Sequence, residues 1–194
     1  QRWHQLGAQL AERSGDEDPV HGLCVLLLAF TPSVYRWSMR IHLVSVSARV
    51  PAWVSAGYEQ YATRLRGEVS LQLHEVALAR RGRGDSAASL MRDEARRIAT
   101  ALPTGTHRVA LEVTGSQWST EQLRDQLDRW LAGGRDVTML IGGPDGLDPA
   151  LSASCEQHWS LSKLTLPHPL VRVIVAEQLY RAWSLLRGHP YHRG

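Results

Sequence analysis

One stretch of the chain, residues 136–183, constrains the fold more than any other, because two apolar segments within it end abruptly. The first is typical of a β-strand over residues 137–141 and runs into Gly-Gly-Pro-Asp-Gly at residues 142–146. The second, residues 159–166, runs into Pro-His-Pro at residues 167–169 and then into a long apolar helix. Backbone breaks after strands are places where a ligand can lie against main-chain groups.

Strand-like and helix-like segments alternate along the chain from Met39 onward. The predicted strands cover residues 40–46, 69–77 and 108–113, and the predicted helices begin at Pro51, Asp85 and Ser119. Asp85 is the expected N-cap of the second helix, whose apolar face would consist of Ala87, Met91, Ala95, Ile98 and Leu102. Ser119 with Gln122 matches a capping box, and Asp148 before Pro149 marks a further helix start. This alternation predicts an α/β domain with a largely parallel sheet.

The first 38 residues follow a different pattern. The chain begins at Gln1, and the regular alternation starts only at Met39. We therefore expect a functional domain over residues 39–194 and interpret residues 1–38 as an extension of unknown role, with Met39 as the true start. The extension is predicted to be dispensable.

Composition limits the possible classes of protein. The chain has 194 residues, a net charge of +3 and a pI of about 9.2, which permits a polyanionic partner without requiring one. Its two cysteines, Cys24 and Cys155, are too few for a disulfide framework or a cysteine zinc site, and they fit a reducing, cytoplasmic compartment. The nine histidines show no metal-ligand spacing, so no metal is expected. No apolar run is long enough to span a membrane.

Two local patterns have both a structural and a functional interpretation. Residues 142–146 lack the ending of a phosphate loop and the dinucleotide fingerprint, so they indicate either a tight turn or a backbone approach to a ligand. Residues 161–166 indicate either a core strand or a loop whose main chain reads an adenine edge between leucine side chains. His168, fixed between two prolines, is either structural or catalytic.

Three further segments remain open in the same way. The basic loop at residues 80–84 is either solvated or a phosphate contact. The tail at residues 189–193 combines aromatic and arginine side chains, which suit base stacking and phosphate contact, or it is a disordered terminus. The helix predicted over residues 170–186 is apolar nearly all round, which predicts burial in a core and at a subunit interface.

Taken together, five ordered motifs resemble one family. They are LIGGPDGL at residues 140–147, WSLS at 159–162, LPHPLVRV at 166–173, EQLYRA at 177–182 and HPYHR at 189–193. In this order and spacing they closely resemble the RlmH family, the ribosomal RNA large subunit methyltransferases H of the SPOUT class. The resemblance covers residues 39–194 and not the extension. The chain departs from the family pattern by arginines for lysines in the basic loop, by Asp145 for glutamate and by Gly194 at the end.

The resemblance implies a SPOUT fold with a C-terminal trefoil knot, a homodimer, S-adenosylmethionine as methyl donor, and methylation of N3 of a pseudouridine in 23S rRNA on the assembled ribosome. It implies cofactor contacts at Leu111, Gly142, Leu161, Ser162, Lys163, Leu164, Thr165 and Leu166. No catalytic residue is identified, and the candidates for orienting or polarising the uracil ring are His168, His192 and Arg193. The expected RNA-binding residues are Tyr191, His192, Arg193 and Arg172.

Two other functions remain to be distinguished. A ribosome-binding assembly factor could keep the fold without methylating, although the intact glycine and leucine segments argue against it. A methyltransferase of the same class could act on a different RNA, although the tail matches the RlmH family and not its relatives.

Overall fold

The computed structural model describes residues 38–193, with side chains described as far as Tyr191. Five strands form one sheet in the order β2-β1-β4-β3-β5, and every neighbouring pair is parallel. The strands are β1 (Met39–Ser47), β2 (Val69–Ala77), β3 (His107–Gln117), β4 (Val137–Ile141) and β5 (Gln157–Ser160). The predicted extension lies almost wholly outside the described residues, and its role stays a prediction.

Helices cover both faces of this sheet, so the predicted α/β architecture with a parallel sheet is confirmed. The helices are α1 (Ala52–Ala62), α2 (Ala87–Ala101), α3 (Thr120–Gly133), α4 (Pro149–Ala153) and α5 (His168–Leu186), followed by a 3-10 helix at Pro190–Arg193. Ile41 and Leu43 of β1 pack in the core layer with α1, α3 and α5. Val44 and Val46 point to the opposite layer, which contains α2. Alternation along a central strand thus supplies two apolar cores.

Two predicted helix termini are confirmed. The Ser119 side chain accepts a hydrogen bond from Gln122 N, and the side-chain oxygen of Gln122 accepts one from Ser119 N, which completes the capping box of α3. Asp148 accepts from the N–H groups of Ala150 and Leu151 at the start of α4. These caps satisfy N–H groups that have no partner within the helix.

The prediction for α2 was wrong in its cap and in its buried face. Ser86, not Asp85, is the N-cap, because its hydroxyl accepts from Ser89 N at 3.2 Å. The Asp85 carboxylate instead accepts from Gly82 N at 2.7 Å and closes the basic loop. The buried face of α2 consists of Leu90, Glu94 and Ile98, so only Ile98 of the predicted apolar stripe is fully buried.

Two boundaries near the carboxyl edge of the sheet also differ from the prediction. Helix α5 begins at His168 and not at Leu170, because the Pro167 carbonyl already accepts from Leu170 N at 2.9 Å. Pro169 fits this first turn, where its missing N–H costs nothing. Strand β3 continues to Gln117, beyond the predicted end at Val113.

Candidate functional site

A cavity of about 290 Å³ lies where β3, β4 and β5 reach the carboxyl edge of the sheet. Two loops form its walls: the glycine loop, residues 142–147, which follows β4, and the leucine loop, residues 161–167, which follows β5. Ligand sites in parallel α/β sheets form beyond the carboxyl ends of strands. The volume is near the lower end of the range of small-molecule sites, about 300–1,000 Å³.

The cavity brings together nearly all of the predicted cofactor positions. Those that line it are Leu111, Gly142, Leu161, Ser162, Leu164, Thr165 and Leu166. Lys163 is exposed and is not among the lining residues. The cofactor-binding role of these residues stays a prediction.

The glycine loop is closed by its own backbone. Gly146 N donates to the Gly143 carbonyl at 2.9 Å, and Gly146 has a φ of 95°, which favours glycine. A Cβ at Gly142 would lie 2.5 Å from the carbonyl carbon and oxygen of Gly146. Gly142 is therefore required by the loop itself, which confirms the tight turn. The approach of this backbone to a ligand stays a prediction.

Side chains from α2 and the basic loop support the glycine loop from outside. A Cβ at Gly143 would lie 2.5 Å from the Glu94 carboxylate, which is buried and accepts from Ala79 N at 3.1 Å. Arg81 of the basic loop forms an ion pair with Asp145. This ion pair is a structural role for one arginine of a loop whose function the sequence left open.

The leucine loop is not a core strand, because β5 ends at Ser160. The Ser160 hydroxyl donates to the Ser162 carbonyl at 3.0 Å, and the Ser162 hydroxyl accepts from Leu164 N at 3.0 Å. The Leu164 side chain is 72% exposed although it lines the cavity. Apolar side chains open to solvent around a cavity are suited to covering a flat apolar ligand.

His168 ends the leucine loop and lines the cavity as the first residue of α5. Burial lowers the pKa of its imidazole below 6.5, because the charged form is desolvated. The ring is therefore neutral at pH 7 and can accept a proton. Of the three catalytic candidates, it is the one that the described side chains place at the cavity.

Glu112 also lines the cavity, and no sequence pattern singled it out. The pairing of β3 with β5 shifts between Leu111 and Ser116, so the intervening residues bulge out of the ladder. At Gly115 a Cβ would lie 2.8 Å from the backbone of His158 and Trp159. A glycine inside a strand pattern is the available signal for such a bulge, although the predicted strand ended just before it.

Arg172 was expected to bind RNA, but the structure gives it a different environment. Its side chain is 1% exposed, and its guanidinium donates to Glu75 Oε1 and to Ser47 Oγ, each at 2.7 Å. Arginine tolerates burial when a carboxylate and hydroxyls accept from its terminal nitrogens, as they do here. Arg172 thus joins α5 to the ends of β1 and β2, and we leave it out of the RNA-binding set.

The tail is fastened to α5 through Tyr191. The Tyr191 hydroxyl donates to Glu177 Oε1 at 3.2 Å, its ring centroid is 4.7 Å from that of Tyr180, and Arg181 lies over it at 5.2 Å. Burial raises the pKa of Tyr191 to about 12. The side chains of His192 and Arg193 lie outside the described part of the chain, so their predicted roles stay predictions.

Within residues 38–193, no group of three or more histidine, cysteine or carboxylate side chains could hold a metal ion. None of the helices described there is long and apolar enough to cross a membrane. Cys155 is buried beside α4, and burial raises the pKa of its thiol to about 11, so it is not a reactive thiolate.

A parallel sheet flanked by helices, with a glycine loop and a leucine loop around a carboxyl-edge cavity, defines an α/β protein with a candidate small-molecule site. The family model described as "Predicted SPOUT methyltransferase" matches residues 39–192. The chain therefore belongs to the SPOUT methyltransferase family. Within this family it is similar to a group of curated relatives.

These relatives are each named ribosomal RNA large subunit methyltransferase H. The protein from Alkalilimnicola ehrlichii is 54% identical over 156 residues, and that from Hahella chejuensis is 52% identical over 155 residues; each alignment covers 80% of this chain and 99% of the relative. The Marinomonas sp. protein is 48% identical over 155 residues, which is 80% of this chain and 100% of its own. A solved structure of a probable methylase family protein from Haemophilus influenzae Rd KW20 aligns with 80% of this chain and 70% of that one, at 11% identity and a TM-score of 0.47.

Proposed function

We propose that this protein transfers a methyl group from S-adenosylmethionine to N3 of a pseudouridine in 23S rRNA, on the assembled ribosome in the cytoplasm. The observation that carries the proposal is the cavity between the glycine loop and the leucine loop. It lies in a chain that is about half identical to proteins named ribosomal RNA large subunit methyltransferase H. The alternative of a non-catalytic assembly factor is disfavoured by the same cavity.

The cavity suits the proposed methyl donor. Leu161, Leu164 and Leu166 offer apolar surface for the adenine ring, and the neighbouring main chain offers hydrogen-bonding groups. Such a site needs no catalytic triad, because it has only to bind and align its ligand.

The bound donor would supply a methyl group on a positively charged sulfur, ready for attack by a nitrogen. N3 of the base carries a proton, so the reaction forms an N–CH₃ bond, breaks the S–CH₃ bond and releases one proton. We assign acceptance of that proton to the neutral imidazole of His168, which lines the cavity. The leucine loop would exclude water around the reacting nitrogen.

The tail is proposed to contribute to RNA recognition through Tyr191, His192 and Arg193. The Tyr191 ring packs on Tyr180. A base therefore either stacks on Tyr191 while this packing remains or displaces the Tyr191 ring from Tyr180. Base stacking on an aromatic ring contributes about 1–3 kcal/mol, so Tyr191→Ala should lower methyl transfer about tenfold at unchanged affinity for the cofactor. Tyr191→Phe, which keeps the ring and loses the bond to Glu177, is the matched control. A parallel loss of cofactor affinity would place the tail at the cavity instead.

We also propose a homodimer and a knotted C-terminus. Trp53 of α1 is 60% exposed, and Ile174 and Leu185 on α5 are only half-buried, which supports an apolar subunit contact along these two helices. The packing of α5 against β1, α1 and α3 is compatible with threading of the C-terminal segment. Sedimentation should give a dimer at micromolar concentration, and a stable folded monomer would contradict the dimer proposal.

Transfer of labelled methyl groups tests the proposed function directly. Ribosomes that lack the modification should accept one methyl group per particle, and free 23S rRNA and separated subunits should accept far less. His168→Gln should reduce the rate while leaving cofactor binding intact, and Asp128→Asn, exposed on α3 and absent from the cavity lining, is the control. Binding of the ribosome without any transfer would support the assembly-factor alternative.

A further inference from the structure

Glu112 is the residue whose placement the proposed chemistry leaves unexplained. It follows Leu111, the last β3 residue paired with β4, and it is one of the residues that line the cavity. Its Oε1 lies 2.7 Å from His158 Nδ1, and its Oε2 accepts from the Ser152 hydroxyl at 3.0 Å. The carboxylate is thus fixed on both oxygens by residues of β5 and α4.

This anchoring leaves the carboxylate with acceptor capacity. A carboxylate offers about four lone-pair positions, two on each oxygen. One bond at each oxygen is to Ser152 or His158, so each oxygen keeps a position for another donor. The other lining carboxylate, Asp145, is paired with Arg81. Glu112 is therefore the lining carboxylate that is held in place without an arginine or lysine partner.

We propose that Glu112 binds the ribose of the methyl donor, with one carboxylate oxygen accepting from the 2′-hydroxyl and the other from the 3′-hydroxyl. A vicinal diol presents two neighbouring donors, which matches two neighbouring oxygens that each have one position left. Ser152 and His158 are positioning residues, because they act through the carboxylate. This inference rests on the proposed function, since it concerns the cofactor of that reaction.

The alternative ligand group, the positively charged sulfur, fits less well. A carboxylate against the sulfonium would stabilise the charged donor more than a transition state in which that charge is being lost. The ribose hydroxyls keep the same charge throughout the reaction, so a carboxylate bound to them holds the donor without opposing the transfer.

Binding of donor analogues to the full chain tests the assignment. In calorimetry, unmodified protein should bind the 2′-deoxy analogue of S-adenosylhomocysteine about tenfold more weakly than S-adenosylhomocysteine, as expected for loss of a hydrogen bond to a charged group. Glu112→Gln should weaken the binding of S-adenosylhomocysteine by a similar factor. In this variant the difference in affinity between S-adenosylhomocysteine and its 2′-deoxy analogue should be smaller. Ser152→Ala should show a smaller loss of about threefold, because it only loosens the carboxylate.

The outcomes separate the inference from the proposed function. Asp128→Asn, an exposed acid outside the cavity lining, should leave all affinities unchanged. Equal affinity of the unmodified protein for both analogues would overturn the assignment to ribose, and this arm requires no variant to fold. If Glu112→Gln still bound the 2′-deoxy analogue about tenfold more weakly than S-adenosylhomocysteine, the role of Glu112 would be overturned. Failure of unmodified protein to bind either analogue would overturn the proposed function itself.

Discussion

The two walls of the cavity are built differently. The glycine loop is closed by backbone: Gly146 N bonds the Gly143 carbonyl, and Gly142 has no room for a Cβ. The leucine loop is held by hydrogen bonds of the Ser160 and Ser162 hydroxyls, and it leaves Leu164 72% exposed. The folded backbone thus fixes one wall, and we propose that the other wall is completed by its ligand. Changes in the first wall should affect folding, and changes in the second should affect binding.

The largest effect is expected from Gly142→Ala. Its Cβ would lie 2.5 Å from the Gly146 carbonyl group and 2.6 Å from Leu147 N, all of them backbone atoms that cannot rotate away. We expect a loss of about 3 kcal/mol in the free energy of unfolding, measured by urea denaturation, with loss of cofactor binding. Gly133→Ala, where nothing lies within 4 Å, is the control and should be neutral or slightly stabilising. Unchanged stability of Gly142→Ala would remove the distinction between the walls.

Gly143→Ala should cost less, because its Cβ would meet a side chain. The Glu94 carboxylate, 2.5 Å away, has to move and weaken its bond to Ala79 N. We expect a loss of about 1–2 kcal/mol in the free energy of unfolding. The double variant Gly143→Ala/Glu94→Ala should be less destabilised than the sum of the single variants by about 1 kcal/mol. Additive losses would show that Glu94 does not support the glycine loop.

Leu164→Ala tests the second wall. Because this side chain is 72% exposed, the free energy of unfolding should change by less than about 0.5 kcal/mol. Affinity for S-adenosylhomocysteine should fall about tenfold, since burial of a leucine against a ligand contributes about 1.5 kcal/mol or more. Leu164→Met, which keeps the apolar volume, should retain most of the affinity. A loss of stability with intact binding would reverse the roles of the walls.

The smallest effect is a pH dependence from His168, at the end of the leucine loop. Its pKa is lowered in the folded state, so the unfolded chain takes up the proton more readily. The stability that the neutral, buried imidazole contributes is fully present above pH 6.5 and declines as the pH falls toward the pKa of the folded state. In denaturation experiments between pH 7 and pH 5, the free energy of unfolding should decline less for His168→Gln than for the unmodified protein. A remaining decline is expected from His42, because burial lowers the pKa of that imidazole as well. An unchanged slope would contradict burial of a neutral imidazole.

Much of the fold could be predicted, because its signals are local. The capping box at Ser119 and the Asp148-Pro149 helix start depend on residues within one turn, and both were correct. The N-cap of α2 was misassigned because Asp85 and Ser86 are both good caps, and only the turn at Gly82 decides between them. The burial of Arg172 was missed because its partners, Glu75 and Ser47, are distant in sequence.

The candidate site was predictable only where it follows strand ends. Gly142 follows β4 directly, so the break in the pattern located it. The positions in the leucine loop came from the family resemblance, because the apolar pattern continues to Leu166 and does not reveal that β5 ends at Ser160. Glu112 lies inside the continuous β3 pattern, and its exposure to the cavity depends on a bulge made by the close approach of Gly115 to β5. That approach is a tertiary contact, which no local spacing encodes.

Amide hydrogen exchange with and without S-adenosylhomocysteine distinguishes the fixed glycine loop from the leucine loop. We expect slow exchange at Gly146 in both states, because its N–H is bonded inside the closed glycine loop. We expect faster exchange at Leu164 N in the free protein and marked slowing on binding, because only a serine hydroxyl holds that N–H. Protection of neither loop on binding, or slow exchange at Leu164 before binding, would contradict a cavity with one fixed wall and one completed by the methyl donor.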